Sequence, residues 1–465
     1  MKRWIGPALL FVLGLIAAAQ HIQHGESATA MASLGAGGAV WGVYVVADGF
    51  LVGASLSALV FACFVRLLRR RAWDDAATVA TTVASIGLAL SALCVLADSG
   101  RPWQALTVLP VVGRARSPFF GTFTVVVGAS LIASLLHTLL AIRAQMGLWG
   151  WRNTPDENLR RQRSAFWLSL FTMPLALAGL LVVAAVFASR PGRPPSSVAL
   201  EMLTFVILAA ASGVALWVCA LSLAGRLTAV RSLARALLVA VAIGVPLIVA
   251  CEYTALQSTL SATRRYGIAL HSGDWRFLFW GQLGLLFAVA AALWMGLWRR
   301  RLSWRGLVLC SCLALATIFV HHFLVLVAWQ THGLGLSYAA GHYRPTWGEI
   351  FLTAGVFGLG ALIFLSSLRL SSRRLASTDA EPVIASALRR PLTWAPILVG
   401  APLAAAGLAL SAGWGVERFS DPLVPGSPLL FLAGLVIMAA ATLPYELIRD
   451  RQTSAARAEA QRARN

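Results

Sequence analysis

The residues able to do chemistry in this sequence are few, and their places are unusual. Asp48 interrupts "VWGVYVVADGFLVGASLSALV", His321 and His322 interrupt "IFVHHFLVLVAWQTHG", and Glu252 stands in "CEYTALQ". Glu201 is embedded in a similar apolar run, and so is His137, in "SLLHTLL". "LADSGRPWQ" sets Asp98 and Arg101 at the end of one run, and "GHYRPTWGEI" opens another with His342, Tyr343, Trp347 and Glu349. Carboxylates and imidazoles are the side chains that take and give protons near neutral pH. In apolar surroundings they are costly to keep, so each is a candidate for function. The chemistry they suggest is proton transfer.

Metal chemistry has little to work with. Cys63, Cys94, Cys219, Cys251, Cys310 and Cys312 all fall in apolar runs, and none forms a CxxC pair. "CSC" at 310–312 points its two thiols to different faces of a helix. They read as buried free thiols rather than disulfide, zinc or iron–sulfur ligands. A bis-histidine haem needs two imidazoles at one depth on facing helices. His137 and His321 lie roughly 15 Å apart along the membrane normal, counted at the helical rise per residue. His321 and His322 share one helix, so no axial pair is offered.

The elements that must position these residues are membrane helices. Of 465 residues 58% are hydrophobic and 12% charged, against about half and a quarter in a soluble domain. The formal charge of +20 does not indicate nucleic acid. The arginines sit in short clusters between apolar runs, as topology signals do. A span needs roughly 20 apolar residues. Twelve candidates appear: 4–20, 39–66, 75–97, 118–142, 165–188, 197–224, 233–255, 275–298, 305–329, 347–369, 393–413 and 428–446. The opening "MKRWIGPALLFVLGLIAAAQHIQHGES" resembles a signal peptide in outline, but Gln20, His21 and Gln23 make a poor cleavage site, so an uncleaved first helix is expected.

Alternating these spans from a cytoplasmic N-terminus puts 28 of the 38 Lys and Arg on the inner side, with none deep in a span. The positive-inside rule then gives N-in and C-in. The expected fold is an all-α polytopic bundle of about twelve helices. It divides into a core at 1–369, a cytoplasmic connection at 370–392, a helix pair at 393–446 and a basic tail at 447–465. On this topology Asp48 lies roughly 14 Å below the outer surface, His321 and His322 roughly 10–12 Å, and Glu201 and Glu252 roughly 5 Å. Asp98, Arg101, His342 and Glu349 line the outer mouth. His137 alone lies near the inner end. One outward-side, proton-handling site is therefore expected. Glu201 also suits a solvated helix end, and His137 an interhelical hydrogen bond. His321 and His322 point about 100° apart, so only one is expected to face a pocket centre.

"LADSGRPWQALTVL" followed by "RSPFFGTFTVVVG" resembles the D-L-G-R-P … S-P signature of the NrfD/PsrC family, the polysulfide-reductase-type membrane subunits of quinone-linked redox complexes. "VWGVYVVADGFLVG" is similar to the tryptophan–glycine helix ahead of that signature. "GHYRPTWGEIFLTAGVFGLGALIFL" and "ACEYTAL … SGDWRFLFWGQLGLLF" resemble the longer, ten-helix branch, which includes hydrogenase- and sulfite-reductase-linked subunits. The resemblance covers roughly 39 to 369. It implies a core of two four-helix bundles in the bacterial inner membrane. It also implies binding of menaquinone or ubiquinone as substrate, with no haem or iron–sulfur cluster in this chain. Electrons would pass to or from a ferredoxin-like iron–sulfur subunit or a multihaem cytochrome on the outer face, with other membrane subunits in the complex.

By their depth in the membrane, Asp48 and His322, with His321, are the candidate proton acceptors. Asp98, Arg101, Glu252, Tyr343, Trp347 and Glu349 are, by match to these motifs, the quinone-site candidates, and His137 and Glu201 a proton path. Three features depart from the family. "VHHFLVL" stands where the family usually has an arginine followed by a polar group, Ser99 replaces the leucine of DLGRP, and two helices extend the core. The competing class is a twelve-helix secondary transporter, whose site would lie near the midplane on broken helices. Here Pro174 and Pro246 are the main breakers, and the polar residues are off-centre.

Overall fold

A computed structural model describes residues 2–24, 41–68, 73–98, 123–146, 155–189, 195–224, 230–332 and 343–371. Within these the chain is helical. The expected connection, C-terminal helix pair and tail lie outside the described residues, as do Arg101, His342 and the loop carrying the S-P signature. Among the described residues ten helices are long and apolar enough to cross a membrane, matching the first ten expected spans. The chain is a multi-pass membrane protein.

In chain order the helices are α1 (Lys2–His24), α2 (Val43–Leu67), α3 (Asp74–Asp98), α4 (Phe123–Met146), α5 (Pro155–Ala188), α6 (Pro195–Leu223), α7 (Val230–Leu256), α8 (Ser261–His271), α9 (Arg276–Trp298), α10 (Trp304–Phe323) and α11 (Trp347–Ser371). A π-helical turn, Leu324–Ala328, and one more α-turn, Trp329–His332, prolong α10. The short α8 falls in what the sequence suggested was a loop. Its eleven residues include Arg264 and Arg265 and fall short of a span, yet Tyr266 and Leu270 are buried against the bundle.

The packing closes two rings. α2, α3, α4 and α5 contact one another in cyclic order, and so do α6, α7, α9 and α10. The rings join where α2 meets α6 and α10, and α5 meets α6. α2 therefore sits at the seam, and nearly all its residues are buried. α1 and α11 pair with each other and lie on the flank formed by α3 and α2. Lipid is as apolar as leucine, so close backbone approach rather than exclusion of water holds such helices together. Gly14 and Gly355 show this: a methyl group on either would overlap the backbone of the other. Gly213 lets α6 reach the backbone of Ala58 on α2 in the same way.

Helix ends are satisfied by specific side chains. Thr346 and Glu349 form a capping box at the start of α11. The Glu349 N–H donates to Thr346 Oγ1 at 3.2 Å, and the Thr346 N–H donates to Glu349 Oε2 at 2.7 Å. Around the start of α2, the Trp41 N–H donates to Gln330 Oε1 at 2.9 Å and the Val43 N–H to the Tyr343 hydroxyl at 3.0 Å.

The arginine count needs one correction. Arg66 ends an apolar run, as a topology signal would, but its side chain turns inward and is 8% exposed. Nη1 meets His137 Nδ1 at 2.8 Å, and Nη2 donates to Thr81 Oγ1 at 3.4 Å. A guanidinium has no lone pair to offer. His137 Nδ1 is therefore the acceptor, and Nε2 carries the ring proton, 3.9 Å from Cys63 Sγ.

Candidate functional site

One cavity gathers most of the buried ionisable groups of the second ring. It lies among α5, α6, α7 and α10, is partly open, and has a cavity volume of about 30 Å³. His321 and His322 line it from α10, Glu201 and Thr204 from α6, and Cys251 and Glu252 from α7. The rest of the wall is apolar: Ala184, Phe187 and Ala188 of α5, Phe205 of α6, and Val325 and Leu326 of the π-turn. It lies toward the arginine-poor ends of the helices, since Ala188 closes α5, Glu201 is early in α6, and Glu252 is late in α7.

The two histidines are not exclusive. A 100° offset places them on different radii of α10, but the cavity wraps that helix, and both side chains reach it. The tautomer of His322 follows from its hydrogen bond. His322 Nδ1 is 2.8 Å from the Ile318 carbonyl oxygen. A carbonyl only accepts, so Nδ1 carries the proton and Nε2 keeps its lone pair. His321 Nδ1 stands 3.4 Å from the Gln282 side-chain amide of α9. Phe205 and Phe50 hold the His322 ring edge-on, with centroids 5.1 Å and 6.2 Å away. Phe187 stacks on Phe205 at 5.8 Å. Glu252 accepts from the Tyr266 hydroxyl at 3.2 Å, so the unexpected helix α8 serves the cavity.

Asp48 is not part of this cavity. The Ser91 hydroxyl of α3 donates to Asp48 Oδ1. Phe50, two residues on and so about 200° around α2, is the side chain that touches His322. The helix therefore separates the two residues that the sequence paired as proton acceptors.

A second polar cluster lies around the start of α2. The Tyr343 hydroxyl donates to Glu349 Oε1 at 2.8 Å. Burial and the adjacent Glu349 carboxylate push Tyr343 well above the usual tyrosine range, so it stays a donor. Tyr44 and Asp98 stand near this group. His21 of α1 packs edge-on against Tyr44 at 5.8 Å, with Nε2 2.9 Å from the Ala97 carbonyl oxygen. Glu349 is fully buried as a cap and anchor. Trp347 turns the other way, 73% exposed and stacked on Phe351. Among the described residues no three His, Cys, Asp or Glu side chains converge as a metal-ligand set.

Residues 32–332 match the family model described as polysulphide reductase, NrfD. The chain belongs to that family. The two four-helix rings lie within the matched residues, and the flanking helices α1 and α11 lie outside them. The chain is also 28% identical, over 426 residues, to a Halobacterium salinarum protein provisionally named as a membrane subunit of dimethyl sulfoxide reductase. That match covers 82% of this chain and 93% of the relative.

His21, Tyr266, Gln282, Thr204 and the aromatic clamp were missed in the sequence. Only Tyr266 carried a signal, because "SATRRYGIALH" has helical periodicity. The others look like ordinary members of apolar helices. The Thr346–Glu349 capping box was legible as T-x-x-E and marks Glu349 as structural.

Proposed function

We propose that this NrfD-family chain is the membrane anchor of a multi-subunit oxidoreductase, and that the α5–α6–α7–α10 cavity takes the head group of a quinol or quinone. The carrying observation is the His322 tautomer: a neutral imidazole, fixed by a backbone carbonyl, offering Nε2 to a small, mostly apolar cavity that a ring would have to widen on entry.

Oxidation of a quinol breaks two O–H bonds and releases two electrons and two protons. His322 Nε2 accepts the proton of one hydroxyl as general base. The proton of the other hydroxyl passes to the Glu252 or Glu201 carboxylate as that oxygen becomes a carbonyl. Glu252 and Glu201, at the mouth, pass protons outward. The electrons leave to an iron–sulfur or haem subunit on the same face. The termini are cytoplasmic, so that face is the outer one, and menaquinone and ubiquinone both fit the chemistry.

The test is quenching of the fluorescent quinol analogue HOQNO by the purified full chain. Saturable quenching by wild type, weakened by His322→Phe and unchanged by Asp48→Asn, supports the reading. Saturable quenching indifferent to His322→Phe places the quinone elsewhere. No quenching by a folded, monodisperse sample removes the site from this chain alone.

A further inference from the structure

Two cysteines come together outside the cavity, on the helices that wall it. Cys219 is four residues before the end of α6, and Cys312 is eight residues into α10. Their sulfurs are 3.7 Å apart although the residues are 93 apart in the chain. Cys312 is exposed on the outer surface of the bundle and Cys219 is half-buried beside it. Cys310, two residues earlier on α10, is buried.

Both thiols lie in the half of the bundle next to the arginine-rich loops, since Arg299, Arg300 and Arg301 directly precede α10. By helical rise they sit roughly 6 Å and 12 Å inside the ends of their helices, facing the lipid phase. α6 supplies Glu201, Thr204 and Phe205 to the cavity, and α10 supplies His321 and His322. A covalent link between these thiols would fasten two cavity walls to each other.

We propose that Cys219 and Cys312 form a reversible, redox-active disulfide across the α6–α10 interface, oxidised by a lipid-dissolved quinone. The S–S bond forms as two S–H bonds break. The two electrons and two protons pass to the quinone oxygens, giving one quinol. A disulfide holds its sulfurs at about 2.05 Å, so they must close by less than the width of one atom, a movement within reach of side-chain rotation. In a compartment that keeps thiols reduced such a bond is transient rather than structural. The link makes helix separation responsive to the oxidation state of the lipid-phase carrier. It needs quinone in the bilayer and does not depend on the cavity being the head-group site.

The experiment uses the full chain in native membranes, treated with decylubiquinone or, separately, with the thiol oxidant diamide. Free thiols are then counted by gel shift with a maleimide polymer under denaturing conditions, and linked peptides are identified by mass spectrometry. Either oxidant is expected to protect two of the six thiols, to yield a Cys219–Cys312 linked peptide, and to be reversed by dithiothreitol. Cys312→Ser abolishes the protection, and Cys310→Ser does not. The oxidised chain melts about 5 °C higher in detergent, as expected for a cross-link closing a long loop. Six labelled thiols after diamide, or a linked peptide using another cysteine, overturns the pairing. Linkage by diamide but not by decylubiquinone overturns the quinone as oxidant.

Discussion

Replacing His322 by phenylalanine separates the chemistry of the cavity from its packing. The new ring keeps the clamp between Phe205 and Phe50. The variant loses Nδ1–H, which costs Ile318 little, since a carbonyl oxygen has two lone pairs and can still serve the helix. It also loses the Nε2 lone pair. One net hydrogen bond to a bound ligand is worth about 1 kcal/mol, which is about a fivefold rise in the HOQNO dissociation constant. Turnover should suffer more, because a positioned general base contributes about 10²–10⁴-fold. In membranes containing the assembled complex, quinol oxidation by His322→Phe is expected to fall by at least about a hundredfold. Complex assembly and chain melting should match wild type. Wild-type turnover in a correctly assembled His322→Phe complex would refute the reasoning. A lowered melting temperature together with lost turnover would show that the histidine acts through packing.

Asp48→Asn keeps an oxygen for the Ser91 hydroxyl, and the HOQNO affinity should stay within about twofold, measured in the same titration. Glu349→Ala removes a capping box together with the Tyr343 acceptor, and should destabilise the chain by about 2–4 kcal/mol on cap and buried-donor costs. Thermal unfolding in detergent would show this, with HOQNO affinity unchanged because α11 does not line the cavity. Gly355→Leu should drive α1 off α11, since even a methyl there overlaps Gly14. Lower expression and melting temperature are expected, with loss of cross-linking between cysteines introduced into the two helices. His137→Ala leaves the Arg66 guanidinium without its nearest acceptor and should lower the melting temperature. Asparagine in place of His137, which still offers an acceptor, should recover part of it.

The sequence was enough for the ten described spans, for the all-helical class and for the family, because each rests on local information. Twenty apolar residues must span a membrane wherever they pack, and a signature stretch is read letter by letter. It also determined which residues are expensive: Asp48, Glu201, Glu252, His321 and His322 are all buried. Which of these meet was decided only in three dimensions, because it depends on how each helix is rotated about its axis. α2 turns Asp48 toward Ser91 and Phe50 toward His322, so two residues assigned to one site fall on opposite sides of a helix. Glu201, read as a helix end or a proton path, joins the histidines because α6 and α10 close the same ring. Both histidines reach one cavity because four helices surround it, a geometry that offsets within a single helix cannot reveal. The Cys219–Cys312 contact spans 93 residues. Only the closure of the second ring brings those two sulfurs together.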